Sequence, residues 1–260
     1  MSRMPSLFVS HGAPTLIIQD GPAHRFLAGY GAALGKPSAI LVASPHWESS
    51  DLLLSTAEQP ETIYDFYGFP KALYEISYAA PGAPAVAARA AAMLRDAGLK
   101  GAEDPNRGLD HGAWVPLHLM YPDADIPVAQ ISIQTGLGPT QQLAVGRALA
   151  PLRDEGVLIV GSGSATHNLA EFRGQAVDTP PPDWVTEFAD WTHAALSEGR
   201  TNDLLAYRTT APHAVRNHPT DEHFLPLFTA LGAGGPNTRA ERVHASTTFG
   251  VLAMDAYAFS

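Results

Sequence analysis

The sequence predicts an α/β fold: a single domain over residues 1–260, with a central mixed, largely parallel sheet flanked by helices. Three observations carry this. Short apolar runs such as Ala39-Ile40-Leu41-Val42-Ala43 and Val157-Leu158-Ile159-Val160 read as buried strands. They alternate with longer stretches of helical spacing. Several runs stop abruptly at a histidine beside Gly or Pro, which is where α/β proteins place their chemistry.

In order, Leu7 to Ser10 is a strand that breaks at His11-Gly12-Ala13-Pro14. A helix follows over Pro22 to Leu34, since proline suits a first helical turn. Ala39 to Ser44 is a strand leading into Pro45-His46-Trp47, and Leu52 to Ser55 is a short one. The aromatic segment Ile63 to Pro70, broken by Gly and Pro, reads as an ordered loop. Pro84 to Ala97 is an Ala-rich helix ended by Gly98. A polar loop over Asp104 to Gly112 leads to a short helix over Val115 to Met120. Pro127 to Ile133 is a Val/Ile-rich strand, Thr140 to Leu152 a helix, and Val157 to Val160 a strand running into Gly161-Ser162-Gly163-Ser164. Beyond Pro180-Pro181-Pro182, Asp183 to Glu198 is an amphipathic helix and Thr201 to Tyr207 a short one. His218-Pro219 opens a helix to Leu231 that stops at Gly232, and Phe249 to Ala258 is a returning strand.

Composition narrows the function. The formal net charge of −10, with acidic residues spread along the chain, argues against a nucleic-acid partner. Without cysteine there is no disulfide, thiolate zinc site or cysteine nucleophile. No apolar run reaches the length of a membrane span and no secretory signal pattern opens the chain, so a cytoplasmic protein without a membrane partner is expected. Gly161-Ser162-Gly163 lacks the third glycine of a dinucleotide loop, and no lysine follows for a phosphate loop.

The histidines say more. Of eleven, His24, His193 and His244 read as surface or packing residues, His118 as structural, and His213 as ambiguous. His11, His46 and His167 each follow an expected strand; the ends of parallel strands share one edge, so these rings can converge. His111 sits in a loop, and His218 and His223 flank the start of a helix. Without thiolates, a histidine site with at most a carboxylate suits Fe(II), Zn, Mn or Ni.

Ser10-His11-Gly12-Ala13-Pro14, Ser44-Pro45-His46-Trp47, Tyr64-Asp65-Phe66-Tyr67-Gly68-Phe69-Pro70, Leu109-Asp110-His111-Gly112-Ala113-Trp114-Val115-Pro116-Leu117, Thr166-His167-Asn168-Leu169 and His218-Pro219-Thr220-Asp221-Glu222-His223-Phe224 follow one another in the chain. In these the chain resembles the class III extradiol ring-cleavage dioxygenases, in the branch of the 4,5-DOPA dioxygenase extradiol type. The resemblance implies one mononuclear divalent metal, Fe(II) for activity with Zn possible as found, held by His11, His46 and His223. His218 competes with His223 as third ligand, and otherwise reaches the substrate from outside the helix. The protocatechuate branch has a glutamate ligand where this chain has His223, with Glu222 beside it. His167 is then the acid/base histidine and His111 the one that orients substrate or dioxygen. A histidine near its ordinary pKa can serve as both base and acid.

The partners implied are a small catechol and O2, and the product a muconic semialdehyde. Trp47, Tyr64 and Phe69, with Phe66 and Tyr67, are expected to wall the pocket. Two other readings share these residues: a zinc-dependent hydrolase with His167 as base, and a non-catalytic metal-binding relative.

Overall fold

The computed structural model describes residues 3–260. Among these residues ten strands form: β1 (Ser6–Ser10), β2 (Ala39–Glu48), β3 (Leu52–Ser55), β4 (Gly101–Asp104), β5 (Val128–Ile133), β6 (Val157–Gly163), β7 (Ala240–His244), β8 (Thr247–Thr248), β9 (Leu252–Ala253) and β10 (Ala256–Phe259). Eight of them make one sheet in the order β4-β3-β5-β2-β6-β1-β10-β7, while β8 and β9 pair separately. At its centre β5, β2, β6 and β1 run parallel, and β10 returns antiparallel to β1. β1, β5 and β6 are buried along their whole length, which is why they read as continuous apolar runs.

Among the described residues there are also nine α-helices: α1 (Pro22–Leu34), α2 (Pro84–Asp96), α3 (His111–Met120), α4 (Gly138–Leu149), α5 (Asp183–Ser197), α6 (Thr201–Leu205), α7 (Tyr207–Thr210), α8 (Ala214–Asn217) and α9 (Leu225–Gly234). Every residue of α9 is buried. Its last carbonyls, on Ala233 and Gly234, accept from the buried Arg153 guanidinium, which also donates to Met4 and Phe259 carbonyls. One cation thus caps a helix and ties both ends of the chain to the sheet.

The mixed, mostly parallel α/β fold is as expected, with local differences. β4 and β7 went unseen because they are edge strands; Gly101-Ala102-Glu103-Asp104 and Ala240-Glu241-Arg242-Val243-His244 are polar and half exposed, as edges tend to be. β2 runs on through Pro45 and His46 to Glu48, and the proline is tolerated where the register with β5 shifts between Ala43 and Glu48. The last helix opens at Leu225-Pro226 instead of His218-Pro219; His218 instead ends α8, and turns fill the gap. The expected strand over Phe249 to Ala258 is broken into β9 and β10 after a turn in which Phe249 has φ +56° and Gly250 φ +70°.

Where β10 begins, Asp255 is buried, 3.5 Å from Arg242 and accepting from the Tyr257 hydroxyl at 3.1 Å. Burial pushes its carboxyl up to about 6 from an ordinary 3.8, against the pull of Arg242 and Tyr257. Between these values the folded state holds a proton that the unfolded chain has released, so this residue's contribution to stability falls as pH rises through that window. The buried histidines work in the opposite sense, so a difference measurement is needed. Asp255→Asn should gain on the wild type by on the order of 2–3 kcal/mol between pH 4 and pH 6.5, read by chemical denaturation at both. A constant difference between the two proteins would show that Asp255 titrates normally.

Candidate active site

β1 and β2 do not touch; β6 lies between them. His11 follows the end of β1 and His46 lies on β2, so their rings must meet across β6. They do, with Nε2 of His46 3.2 Å from Nε2 of His11. β6 permits this by being small there, with Gly161-Ser162-Gly163. A Cβ on Gly163 would overlap the His223 carbonyl oxygen, and one on Gly161 that of Pro226. The two glycines therefore let the start of α9 and the chain before it lie directly on β6, where the Ser164 amide donates to the His223 carbonyl at 2.8 Å. That contact delivers the third ring. Ligand atoms of His11, His46 and His223 all fall within 4.8 Å of one another.

What faces inward follows from what each ring does with Nδ1. The Ser162 hydroxyl donates its single proton to the Gly112 carbonyl at 2.5 Å. It can therefore only accept from His11 Nδ1, 3.0 Å away, which puts the His11 proton on Nδ1. His223 Nδ1 donates to Glu222 at 3.0 Å, and His46 Nδ1 faces Asp65 at 3.4 Å. Each ring keeps an Nε2 lone pair. Two such lone pairs 3.2 Å apart repel unless a cation lies between them. Metal–nitrogen bonds of about 2.1 Å put two ligand nitrogens roughly 3.0 Å apart at a right angle and roughly 3.4 Å apart at the tetrahedral angle. The donor set thus fits a divalent metal, and its hydrogen-bonded outer partners are those that metal-binding histidines need.

His111 is the first residue of α3, not part of a loop as expected; Asp110 caps the helix by accepting from the Ala113 amide. The His111 amide donates to Asp65 Oδ1 at 2.9 Å, and its Nδ1 lies 3.0 Å from Oδ2, off the line of a good hydrogen bond. Its ring centroid is 4.0 Å from that of His46. His167 stacks on His223, with centroids 3.5 Å apart and planes 7° from parallel. Burial lowers the His167 imidazole to about 4, helped by His111 and opposed by Glu222. That corrects the expectation of an ordinary histidine pKa: this ring is neutral at pH 7. Burial, before the neighbouring imidazoles, also holds His11 and His223 well below 6.5 and brings His46 to about 4. Although burial raises the Asp65 carboxyl, hydrogen bonding to His111, its backbone amide included, draws it down to about 2, with His46 adding a smaller pull.

All five histidines line one cavity of about 500 Å³, together with Phe66 and Phe69. Trp47, Tyr64 and His218 do not line it. Trp47 neighbours His46 on a strand, so its ring turns to the other face, where it lies 5.0 Å from the Arg107 guanidinium. Tyr64 turns out, its hydroxyl donating to the Ile76 carbonyl at 2.9 Å. His218 is fully buried among Phe188, Tyr207 and Phe224, and its Nε2 meets the Ala165 carbonyl at 3.0 Å. It belongs to the core. His24, His118, His193, His213 and His244 are also absent from the lining.

Sequence reasoning missed Asp65, Ser162 and the group around Asp110. Buried Asp110 accepts from Ser44 at 2.7 Å, Gln130 at 2.8 Å and Arg107 at 2.6 Å, and Arg107 also donates to the His46 carbonyl at 3.1 Å. The position of Asp110 directly before a helix was a legible cap signal. Ser162 and Asp65 carried none.

Residues 5–255 match the family described as the catalytic LigB subunit of aromatic ring-opening dioxygenase. The chain belongs to this family. Among curated LigB relatives, a 4,5-DOPA dioxygenase extradiol of Beta vulgaris is 44% identical, over 98% of this chain and 96% of its own length. One of Escherichia coli K12 is 40% identical, over 89% of this chain and 86% of its own. The crystal structure of an uncharacterized protein from Escherichia coli K12 superposes with a TM-score of 0.84 at 34% identity, covering 99% of this chain and 100% of that one. This LigB protein is a metal-dependent, non-haem extradiol dioxygenase that cleaves an aromatic ring with O2. The hydrolase and non-catalytic readings are not favoured. Among the described residues no helix is long and apolar enough to cross a membrane.

Two variants test the geometry. Gly163→Ala, which replaces no ligand side chain, should push His223 off β6 and weaken metal binding by at least ~10-fold, read by metal titration. His218→Ala should keep full metal stoichiometry while losing about 2–4 kcal/mol of stability from a lost hydrogen bond and a cavity. Loss of metal in the second variant would make His218 a ligand after all.

Proposed function

We propose that His11, His46 and His223 hold one divalent ion, iron(II) during turnover, and that the substrate is a catechol, of which DOPA, named in the relatives, is the example to try first. The convergence of ligand nitrogens from His11, His46 and His223, with Nδ1 of His11 on Ser162 and Nδ1 of His223 on Glu222, carries this reading. Three neutral imidazoles suit zinc as well, so zinc can replace iron in an isolated sample. When bound, the metal would acidify the catechol hydroxyls and bring the ring and dioxygen together.

The chain's own groups do the rest. His167, neutral because it is buried, takes the catechol proton on a ring nitrogen and returns it later in the reaction. His111, with Nδ1 turned to Asp65, has Nε2 left to hydrogen-bond an oxygen of the reacting pair. Phe66 and Phe69 offer faces and edges to the catechol ring and keep water from it. The ligands come from both ends of the chain, which supports one catalytic domain over residues 1–260. Iron(II) is best kept reduced in the cytoplasm, the compartment we assign.

Oxygen uptake and formation of a yellow semialdehyde, measured with L-DOPA and protocatechuate after anaerobic iron(II) loading, test the activity. His167→Ala should keep its metal and lose turnover by about 10²-fold or more. His46→Ala should lose the metal itself. A His167 variant that loses metal, or a His46 variant that keeps full occupancy, overturns the assigned roles.

A further inference from the structure

A catechol ring fills only part of a cavity of about 500 Å³, so the walls away from the histidines meet whatever the ring carries. Those walls are Pro14, Leu169, Phe172, Phe249, Val251 and Leu252. Phe172 and Phe249 meet edge to face, with centroids 5.4 Å apart. Two of these side chains are unusually exposed for their type, Leu169 at 59% and Phe172 at 42%. Large apolar side chains left open to water at a cavity rim mark a surface that binds something apolar.

Phe249 adds a second observation. It has φ +56°, a left-handed conformation rarely taken by a bulky residue, and its amide donates to the Val177 carbonyl at 3.0 Å. Such strain persists where the surroundings fix it, and it collects at ligand clamps. Here it holds an aromatic ring in the cavity wall.

The charges point the same way. The lining contains the carboxylate of Asp65 and no lysine or arginine. Arg173 follows Phe172 in sequence but is not part of the lining, and Arg216 is held 3.0 Å from Glu171 over the ring of Trp184. Besides the five histidines, the other polar side chains on the lining, Thr15 and Gln19, are uncharged. A substrate carboxylate placed against the walls away from the histidines would meet apolar side chains, with no lysine or arginine to pair with.

We propose that Leu169, Phe172 and Phe249 form an apolar clamp for the ring substituent, so that this enzyme selects catechols bearing an uncharged alkyl or aryl group over those bearing a carboxylate. The proposal rests on the catechol reading above and narrows its substrate class. Each methylene buried in the clamp raises kcat/KM roughly three- to fourfold. L-DOPA, whose charged end can pass the exposed rim into water, falls between the two classes.

The test compares catechol, 4-butylcatechol and 3,4-dihydroxyphenylacetate with the iron(II)-loaded protein. kcat/KM is read by oxygen uptake, and binding by anaerobic calorimetry. 4-Butylcatechol should exceed 3,4-dihydroxyphenylacetate at least ~10-fold in both readouts. Phe172→Arg should shrink that ratio by about 10-fold, and Leu169→Arg does the same from a second exposed position if the first variant folds poorly. An acid that matches or beats the alkyl compound in the wild type overturns the proposal, as does an unchanged ratio in both arginine variants. If none of the three compounds is opened, the catechol reading falls, and calorimetry still decides the clamp by which compound binds more tightly.

Discussion

The site depends on where three protons sit. Ser162, Asp65 and Glu222 occupy the Nδ1 side of His11, His46 and His223. Only then do three Nε2 lone pairs face a common point, and only then is a cation more favourable there than a hydrogen bond between imidazoles. Ser162 is the most constrained of the three. A hydroxyl can donate once, and this one is already spent on Gly112, so the tautomer of His11 is dictated by a backbone carbonyl two hydrogen bonds away. Because Gly112 is in the first turn of α3, that chain of bonds also fixes the helix that carries His111.

The topology explains why small residues matter here. Placing β6 between β1 and β2 separates the first two ligands by a whole strand, a gap that imidazoles can span only over a strand of low profile. Glycine at 161 and 163 supplies that on one face and seats the α9 approach, while serine at 162 supplies the hydrogen bond on the other. Alternation along a strand makes the two jobs compatible. The same alternation removes Trp47 from the site, since a residue next to His46 must face away from it.

Much of the fold and the histidine set was legible because both leave local marks. Buried parallel strands are apolar runs, and histidines just beyond them stand out against a cysteine-free background. What was not legible is what depends on three-dimensional company. His218 and His223 sit five residues apart in one motif, and nothing in it says that the first turns into a nest of aromatic rings while the second turns to the cavity. β4 and β7 escaped notice because edge strands are polar by necessity. Ser162 acts through a ring 151 residues away and Asp65 bonds a residue 46 positions away, so no local pattern marks them.

Asp65 also links the two halves of the chemistry. One carboxylate faces Nδ1 of the ligand His46, receives the backbone amide of His111 and lies against the His111 ring. Arg107 in turn joins the His46 carbonyl to the buried Asp110 that caps α3. β2 and the start of α3 are therefore clamped twice, by a carboxylate in the cavity wall and by an ion pair. A shift in His46 would have to move His111 with it. A binding group and a group acting on the substrate that must keep a fixed spacing are better served by such shared partners than by separate ones, since each shared bond restrains their relative position directly.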